Sequence, residues 1–461
     1  MAMVVKNNMS AINTLNTLNA NSTALSKSLA KVSSGMKING AADDASGYAI
    51  SERMRVQIRG LDQANANTQN GSSMMKTAEG AVSSTVDILK TLKEKVISAA
   101  NDDKTDADRA AIQKELDQSI DQINDNANIT YNGKYLVDGS HNSSVIQTTT
   151  TMTNQMLNTG TKASTAFTQM KDRNGNSLNI QSLDTVTVSF VHQGVTYTTS
   201  FRAGAAVNTA GKVTGAATHS MSSLLKLAND EFKAKNSVGG PFKDQDLFSS
   251  DIKTGSVIGK DAAQDTVKTA SGENAMTIKS AMSGLTGQIS GFTISVSNTK
   301  GQIQKSINAV LDNFDESIRA QNKSEDNQIT LQVGTKANQS IRVGLTDMRA
   351  EALGLASSTG KTLQIGTQAQ ANAAINVLDN AVQKALDQQT TIGAIQSRLE
   401  YTSSNLTTSS QNVQASESTI RDADMAKEMT NYTKNNVLLQ AAQSMLAQAN
   451  QSSSSVLSLL Q

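Results

Sequence analysis

The stretch SSGMKINGAADDASGYAISERMR, Ser33–Arg55, decides how the chain is built. It sets two adjacent carboxylates, Asp43 and Asp44, among small residues, with glycines on both sides. It can be a catalytic loop, a phosphate cradle or a joint between two helices. Paired-carboxylate glycoside chemistry needs two acids facing each other across a substrate. Neighbours on a forming helix point roughly 100° apart instead, and no aromatic platform lies near. Acidic residues do suit a helix N-cap and first turn. We therefore take the stretch as a joint in which Gly35, Gly40 and Gly47 let the chain bend and Asp43 and Asp44 start the next helix.

Heptad spacing on either side supports that choice. Val4, Ala11, Leu18, Leu25 and Val32 recur every seven residues, beside a second row of Leu15, Ser22, Leu29 and Met36. The register fails between Met36 and Ile50. It resumes as Met54, Leu61, Thr68, Met75, Val82, Leu89 and Val96, beside Ile50, Gln57, Ala64, Gly71, Ala78, Thr85, Leu92 and Ala99. A helix of that extent is roughly 85 Å long. The other end mirrors this layout. Leu378, Ala385, Ile392, Leu399, Leu406, Val413 and Ile420 form one row, then the phase jumps to Met425, Tyr432, Leu439, Leu446, Ser453 and Leu460, with Ala442, Ala449 and Val456 as companions. Breaks at similar distances from both ends predict that the ends pair. The fold class expected is mainly α, a long antiparallel coiled-coil rod formed by both chain ends.

Between them the composition turns to Thr, Ser and Gly with strand-like alternation, from about Ser140 to Asn322. TVTVSFVHQGVTYTTSF reads as a hairpin turning at Gln193-Gly194, and ITLQVGTKANQSIRVGL as another. Ile303, Ile307, Val310, Phe314 and Ile318 share a helical spacing and predict one helix. This reads as an inserted α+β or β-rich domain. Expected boundaries are 1–42 with 417–461 for the terminal coil, 43–141 with 324–416 for the rod, and 142–323 for the insert.

Composition narrows the function. Aromatics are 3%, there is one proline (Pro241), and no Cys or Trp. No disulfide or thiolate chemistry is available. A formal charge of +1 is too balanced for a nucleic-acid or anionic-membrane protein relying on bulk charge. No 18-residue apolar run offers a membrane span, and the first residues lack a signal-peptide core. GLASSTGKT departs from phosphate-loop spacing, the three histidines begin no H-E-x-x-H, and no G-x-S-x-G occurs. The residues point to no catalytic site, metal or cofactor. The terminal rows are rich in Asn, Ser and Gln, so their helices are marginal alone, and a second copy of the chain is a natural cover for them.

At both ends the residues resemble the bacterial flagellin family. Ser33–Leu61 is similar to the pattern S-G-x-x-I-N-x-A-x-D-D-A-x-G, followed by TAEGAVSSTVDIL, DRAAIQKELDQSI and YNGKYLVDG. Near the other end stand GAIQSRLEYTSSNLT, STIRDADMAKEM, LLQAAQSMLAQANQ and VLSLLQ. The resemblance covers about residues 1–140 and 325–461. It implies a self-assembling subunit of an extracellular flagellar filament, exported unfolded through a type III route without a cleaved signal. Filament-core contacts would fall on Leu15, Leu18, Leu25, Leu29 and Val32, and on Met425, Met429, Tyr432, Leu439, Ala442, Leu446, Ala449, Val456 and Leu460. The joint between filament layers would use Gly35, Ile38, Asn39, Gly40, Asp43, Asp44, Gly47, Arg421, Asp422 and Asp424. Implied partners are other subunits, an export chaperone on the C-terminal helix, and filament cap and hook-junction proteins. Leu89, Thr91, Leu92, Lys93, Glu94, Lys95 and Glu115 resemble the epitope of an animal innate immune receptor. Thr91 and Lys95 replace the Arg and Leu of the receptor-active form, which implies a weakened response. The alternatives are a hook–filament junction protein, or a flagellin-like secreted protein whose insert binds a ligand or carries an enzyme.

Overall fold

The computed structural model describes residues 8–204, 219–236, 242 and 244–459. In chain order come helices α1 (Met9–Ser34), α2 (Ala45–Ala99) and α3 (Asp106–Ala127), then the short hairpin β1 (Thr130–Tyr131) and β2 (Lys134–Tyr135). The middle holds β3 (Thr151–Asn154), β4 (Thr185–His192), β5 (Val195–Arg202), α4 (Met221–Asn236), β6 (Lys253–Gly255), β7 (Val257–Lys260), β8 (Thr266–Lys268), β9 (Ala275–Lys279), β10 (Ile289–Ser297), α5 (Lys305–Leu311) and β11 (Phe314–Ile318). The hairpin β12 (Ile329–Gln332) and β13 (Ser340–Val343) leads to α6 (Gln368–Arg421) and α7 (Met425–Leu459). The chain divides into two compact units.

One unit comprises Met1–Gln69, Gln332–Ser340 and Glu400–Gln461. In it α1 and α7 pair antiparallel. Asn8 Nδ2 donates to the Ala449 carbonyl (3.2 Å), Asn21 Nδ2 to that of Leu438 (3.3 Å), and Asn435 Nδ2 to Ser28 Oγ (3.2 Å). This register turns Ala11, Leu18, Leu25 and Val32 inward, with Thr14, Asn21 and Ser28 as the companion row. The expected companions Leu15 and Leu29 instead lie about half exposed. Polar side chains hydrogen-bond across the coil and fix which stripe faces α7. The nearby parts of α2 and α6 pack Leu61, Ala64, Leu406 and Val413 together.

The other unit comprises Asn70–Leu331 and Ile341–Leu399. On α2 the two heptad rows are buried without interruption from Leu61 to Ala99. Leu378, Ala385, Ile392 and Leu399 on α6 are buried in the same way, as are Leu116, Ile120 and Ile123 on α3. At the start of α2, which belongs to the first unit, the expected row fails: Ile50 and Gln57 are exposed and Ser51 is buried in their place. The turn into α3 is fixed by a capping box between Thr105 and Asp108. Arg109 adds hydrogen bonds to the carbonyls of Ala99 and Asn101.

Among the described residues the insert holds three antiparallel sheets, ordered β10-β4-β5, β11-β3-β9-β6 and β7-β8. The β4–β5 hairpin turns at Gln193-Gly194, both at positive φ, as a two-residue primed turn requires. All eight phenylalanines of the chain fall in this segment; Phe167, Phe190, Phe232, Phe248 and Phe292 are buried in its core. That concentrates burial of large apolar surface where short strands supply little else. The single helix expected from Ile303 to Ile318 is not formed. Helix α5 ends at Leu311, and Phe314 to Ile318 form β11, which pairs with β3. Pairing with a distant strand overrides a helical spacing that is locally just as good. Strand β10 lies hard against α6. A Cβ on Gly291 would sit 2.8 Å from Val377 Cγ2 and 3.1 Å from the Ala373 carbonyl oxygen, which only glycine avoids.

Candidate functional site

The two register breaks face each other. Met36 and Asp422 form an antiparallel bridge in which the Lys37 amide donates to the Arg421 carbonyl (2.7 Å) and the Ala423 amide to that of Gly35 (2.9 Å). Gly35 ends α1 in the left-handed region at φ 69°, where glycine carries no steric penalty. Asp44 caps α2. Its Oδ1 accepts from the amides of Ser46 and Gly47, both at 3.0 Å, and these bonds, that from Gly47 foremost, hold its carboxyl below the usual range. Asp43 accepts from the Asn39 amide, and Asp424 accepts from that of Lys427 at the start of α7. Asp44 thus starts α2 as expected, whereas Asp43 bonds back to Asn39 ahead of the helix rather than to its first turn.

Ile38 is buried, and a Cβ on Gly47 would meet its Cδ1 at 2.7 Å. Gly47 is therefore a close-packing residue inside α2 rather than a bend, and Gly40 has open space around it and no positive φ. Of the three glycines expected to bend the chain, only Gly35 is at a positive φ.

The centre of the joint is Arg421, 6% exposed. Its guanidinium donates to Glu52 (2.6 Å), Ser51 Oγ (3.4 Å) and Met36 Sδ (3.2 Å), and lies 5.4 Å from the centre of the Tyr48 ring. The bond from Arg421 is the main cause holding Glu52 below its ordinary pKa. Arg55 adds a 3.1 Å bond to Glu417. Sequence reasoning named Arg421 but missed Tyr48, Ser51, Glu52, Arg55 and Glu417. The only available signal was charge complementarity between two segments far apart in the chain.

On α7, Tyr432, Leu439 and Leu446 are half-buried and Ala442 and Ala449 buried along the seam with α1. Met425 and Met429 lie outside it, exposed. The side chain of Val456, and Leu460 altogether, fall outside the described residues. With Ile12, Leu15 and Leu29 on α1, and Val437, Leu438 and Met445 on α7, this leaves a series of large apolar side chains exposed on the coil. In the Leu89–Lys95 stretch, Leu89 and Leu92 are core residues at 0% and 1% exposure. Lys90, Thr91 and Glu94 are exposed there; Lys93 pairs with Asp379, and Lys95 with Glu115 at 3.1 Å. Among the described residues no cluster of His, Cys, Asp or Glu could hold a metal ion, and no helix is long and apolar enough to cross a membrane.

A family model for the bacterial flagellin N-terminal helical region matches residues 5–142, and one for the C-terminal helical region matches residues 375–460. A flagellin of Clostridium tyrobutyricum is 32% identical over 455 residues, 97% of this chain and 99% of that protein. A flagellin of Bacillus subtilis (strain 168) is 29% identical, covering 99% of this chain and 100% of that one. The crystal structure of FlgL from Xanthomonas campestris is 12% identical and covers 80% of this chain and 99% of that one, but its TM-score of 0.31 gives the likeness no weight.

Proposed function

The chain belongs to the flagellin family as a structural subunit of the extracellular flagellar filament, and from that premise we propose how its parts divide the work. The observation that carries the proposal is the contrast between two seams. From Leu61 to Ala99, α2 is buried row after row, whereas the α1–α7 seam is half-covered and flanked by exposed Leu, Ile, Val and Met. A coil with so little core of its own is marginal. It becomes stable when further copies cover Leu15, Leu29, Met425, Met429 and their neighbours. Repeated contacts of one subunit on the next that do not close on themselves give an open helical polymer. The α1–α7 coil is then the inner layer, α2, α3 and α6 the surrounding tube, and the insert the outer face. The joint around Arg421 carries one layer into the next, and the open space at Gly40 lets a neighbouring subunit approach.

Marginal ends also suit export. They unfold readily, pass a type III channel without a cleaved signal, and order on addition beneath a cap. A chaperone would cover the apolar residues of α7 before export, and a hook-junction protein would receive the first subunits. With Thr91 exposed and Lys95 paired to Glu115 in the receptor-like stretch, signalling through the innate receptor is weak; full potency in a reporter-cell assay would overturn that. The flagellins it resembles are structural proteins, and a non-enzymatic role fits the site described here.

Negative-stain microscopy of the purified chain, intact and lacking Gln440–Gln461, tests the scheme. Filaments from the intact protein and none from the truncated one are expected. Intact protein that never polymerises would favour the junction reading, and filaments from both would remove α7 from the mechanism.

A further inference from the structure

The insert joins the helices through a narrow neck. Val145 and Ser324 exchange backbone hydrogen bonds of 3.0 Å, and Thr148 bonds the Arg319 carbonyl (2.6 Å) and receives the Gln321 amide (3.0 Å). Beside the neck, β11 meets α6 across a cleft with room for about one water. Its walls carry charge. Glu316 of β11 has an 8% exposed side chain, and its Oε1 has no hydrogen-bond partner among the described residues. Ser290 Oγ on the β10 side is likewise unpartnered. Arg319 Nε stands 3.8 Å from the Glu316 carboxyl, too far for a hydrogen bond, while Arg319 bonds Asp387 of α6 at 2.8 Å. Lys384 of α6, in the same cleft, donates to the Ala352 carbonyl (2.7 Å) rather than to a carboxylate. Other charges nearby are Asp347, which acts on Lys384, Lys323, Arg349 and Glu351, which share a further opening with Lys384, and Asp261, across the adjoining opening lined by Glu316 and Asp387.

We propose that this neck is a proton-operated clasp: the insert is held firmly on α6 while Glu316 keeps its proton, and loosens when Glu316 ionises. A neutral carboxyl asks for less, and one water bridging it to Ser290 Oγ would meet the need. A carboxylate in the same place needs more hydration than the cleft holds, drawn from the adjoining opening of about 450 Å³ as β11 shifts, or Lys384 drawn away from Ala352. Burial places the change in an accessible range, pushing Glu316 up to about 7 and Lys384 down to about 8. Opening restores Glu316 to its ordinary acidity, so the open form gains as pH rises through that window. Between pH 5.5 and 7.5 linkage gives roughly a twentyfold increase in opening from Glu316. Lys384 moves it little there. Asp312, just before β11 and raised by burial to about 6, also titrates in this window.

Hydrogen-exchange mass spectrometry on the full chain at these two pH values, corrected for intrinsic exchange, tests the clasp. In the wild type, protection of residues 314–321 should fall roughly twentyfold or more with rising pH, while β4 does not follow. In Glu316→Gln, the neutral isostere, the fall should be about twentyfold smaller, with chiefly the Asp312 contribution left. A wild-type neck that does not respond, or that moves in step with β4, overturns the proposal even if the variant fails to fold. So does a variant that keeps the full response.

Discussion

Replacing Ser28 and Asn435 together by leucine should turn the α1–α7 seam from marginal to self-sufficient. The two face each other across the coil through one 3.2 Å hydrogen bond, and Ser28 is 6% exposed. A fully buried leucine contributes about 2 kcal/mol relative to exposure. With partial cover, about 1.5 kcal/mol for each is reasonable. The lost hydrogen bond costs about 1 kcal/mol. The net gain of about 2 kcal/mol favours the paired ends by a factor of roughly 30. Trypsin cleavage at Lys27, Lys31, Lys427 and Lys434, with ellipticity at the helical minimum, reads the pairing in the free subunit. The double variant should be cleaved roughly tenfold or more slowly at these sites, with higher helix content, and should elongate filament seeds more slowly because its ends no longer order on addition. Wild-type ends already as protected as those of the variant, or unchanged elongation, would refute the reasoning.

Two further outcomes follow from the described geometry. Arg421→Ala should raise the critical concentration for polymerisation severalfold and leave the α2–α3–α6 core intact, as read by sedimentation and thermal melting; Arg421→Lys should not restore it, because one ammonium cannot serve Glu52, Ser51 and Met36 together. His192 is 2% exposed, donates its Nε2–H to the Thr286 carbonyl at 2.8 Å, and is driven by burial down to about 4. Its folded value is depressed, so its neutral form supports the insert above the unfolded value near 6.5 and loses that support as pH falls toward 4. The loss approaches about 3 kcal/mol. The acid limb of insert unfolding, followed by near-ultraviolet dichroism, should flatten in His192→Gln, and an unaltered limb would assign acid sensitivity elsewhere.

What the residues disclosed beforehand depended on whether the deciding partner was local. Rows from Leu61 to Ala99 were legible because period seven and burial coincide there. The side of α1 that meets α7 was not, because Leu15 and Thr14 are adjacent stripes and the choice rests on cross-chain bonds such as Asn8 to Ala449. Phe314 and Ile318 fit a helix as well as a strand, until β3 supplies the partner. Asp44 was readable as a cap because the amides that donate to it lie within three residues. Glu52 was silent because Arg421 is 369 residues away.

The exchange of hydrogen bonds between Val145 and Ser324 also has an architectural consequence. It brings the two ends of the insert about one strand spacing apart, roughly 4.8 Å. To the helices, everything between is a loop whose closure cost grows only slowly with length, by about 0.6 kcal/mol for each doubling. Another domain with adjacent termini could stand in the same place, and the outer coat of the polymer could be rewritten while the buried rows of α2 and α6 keep their register.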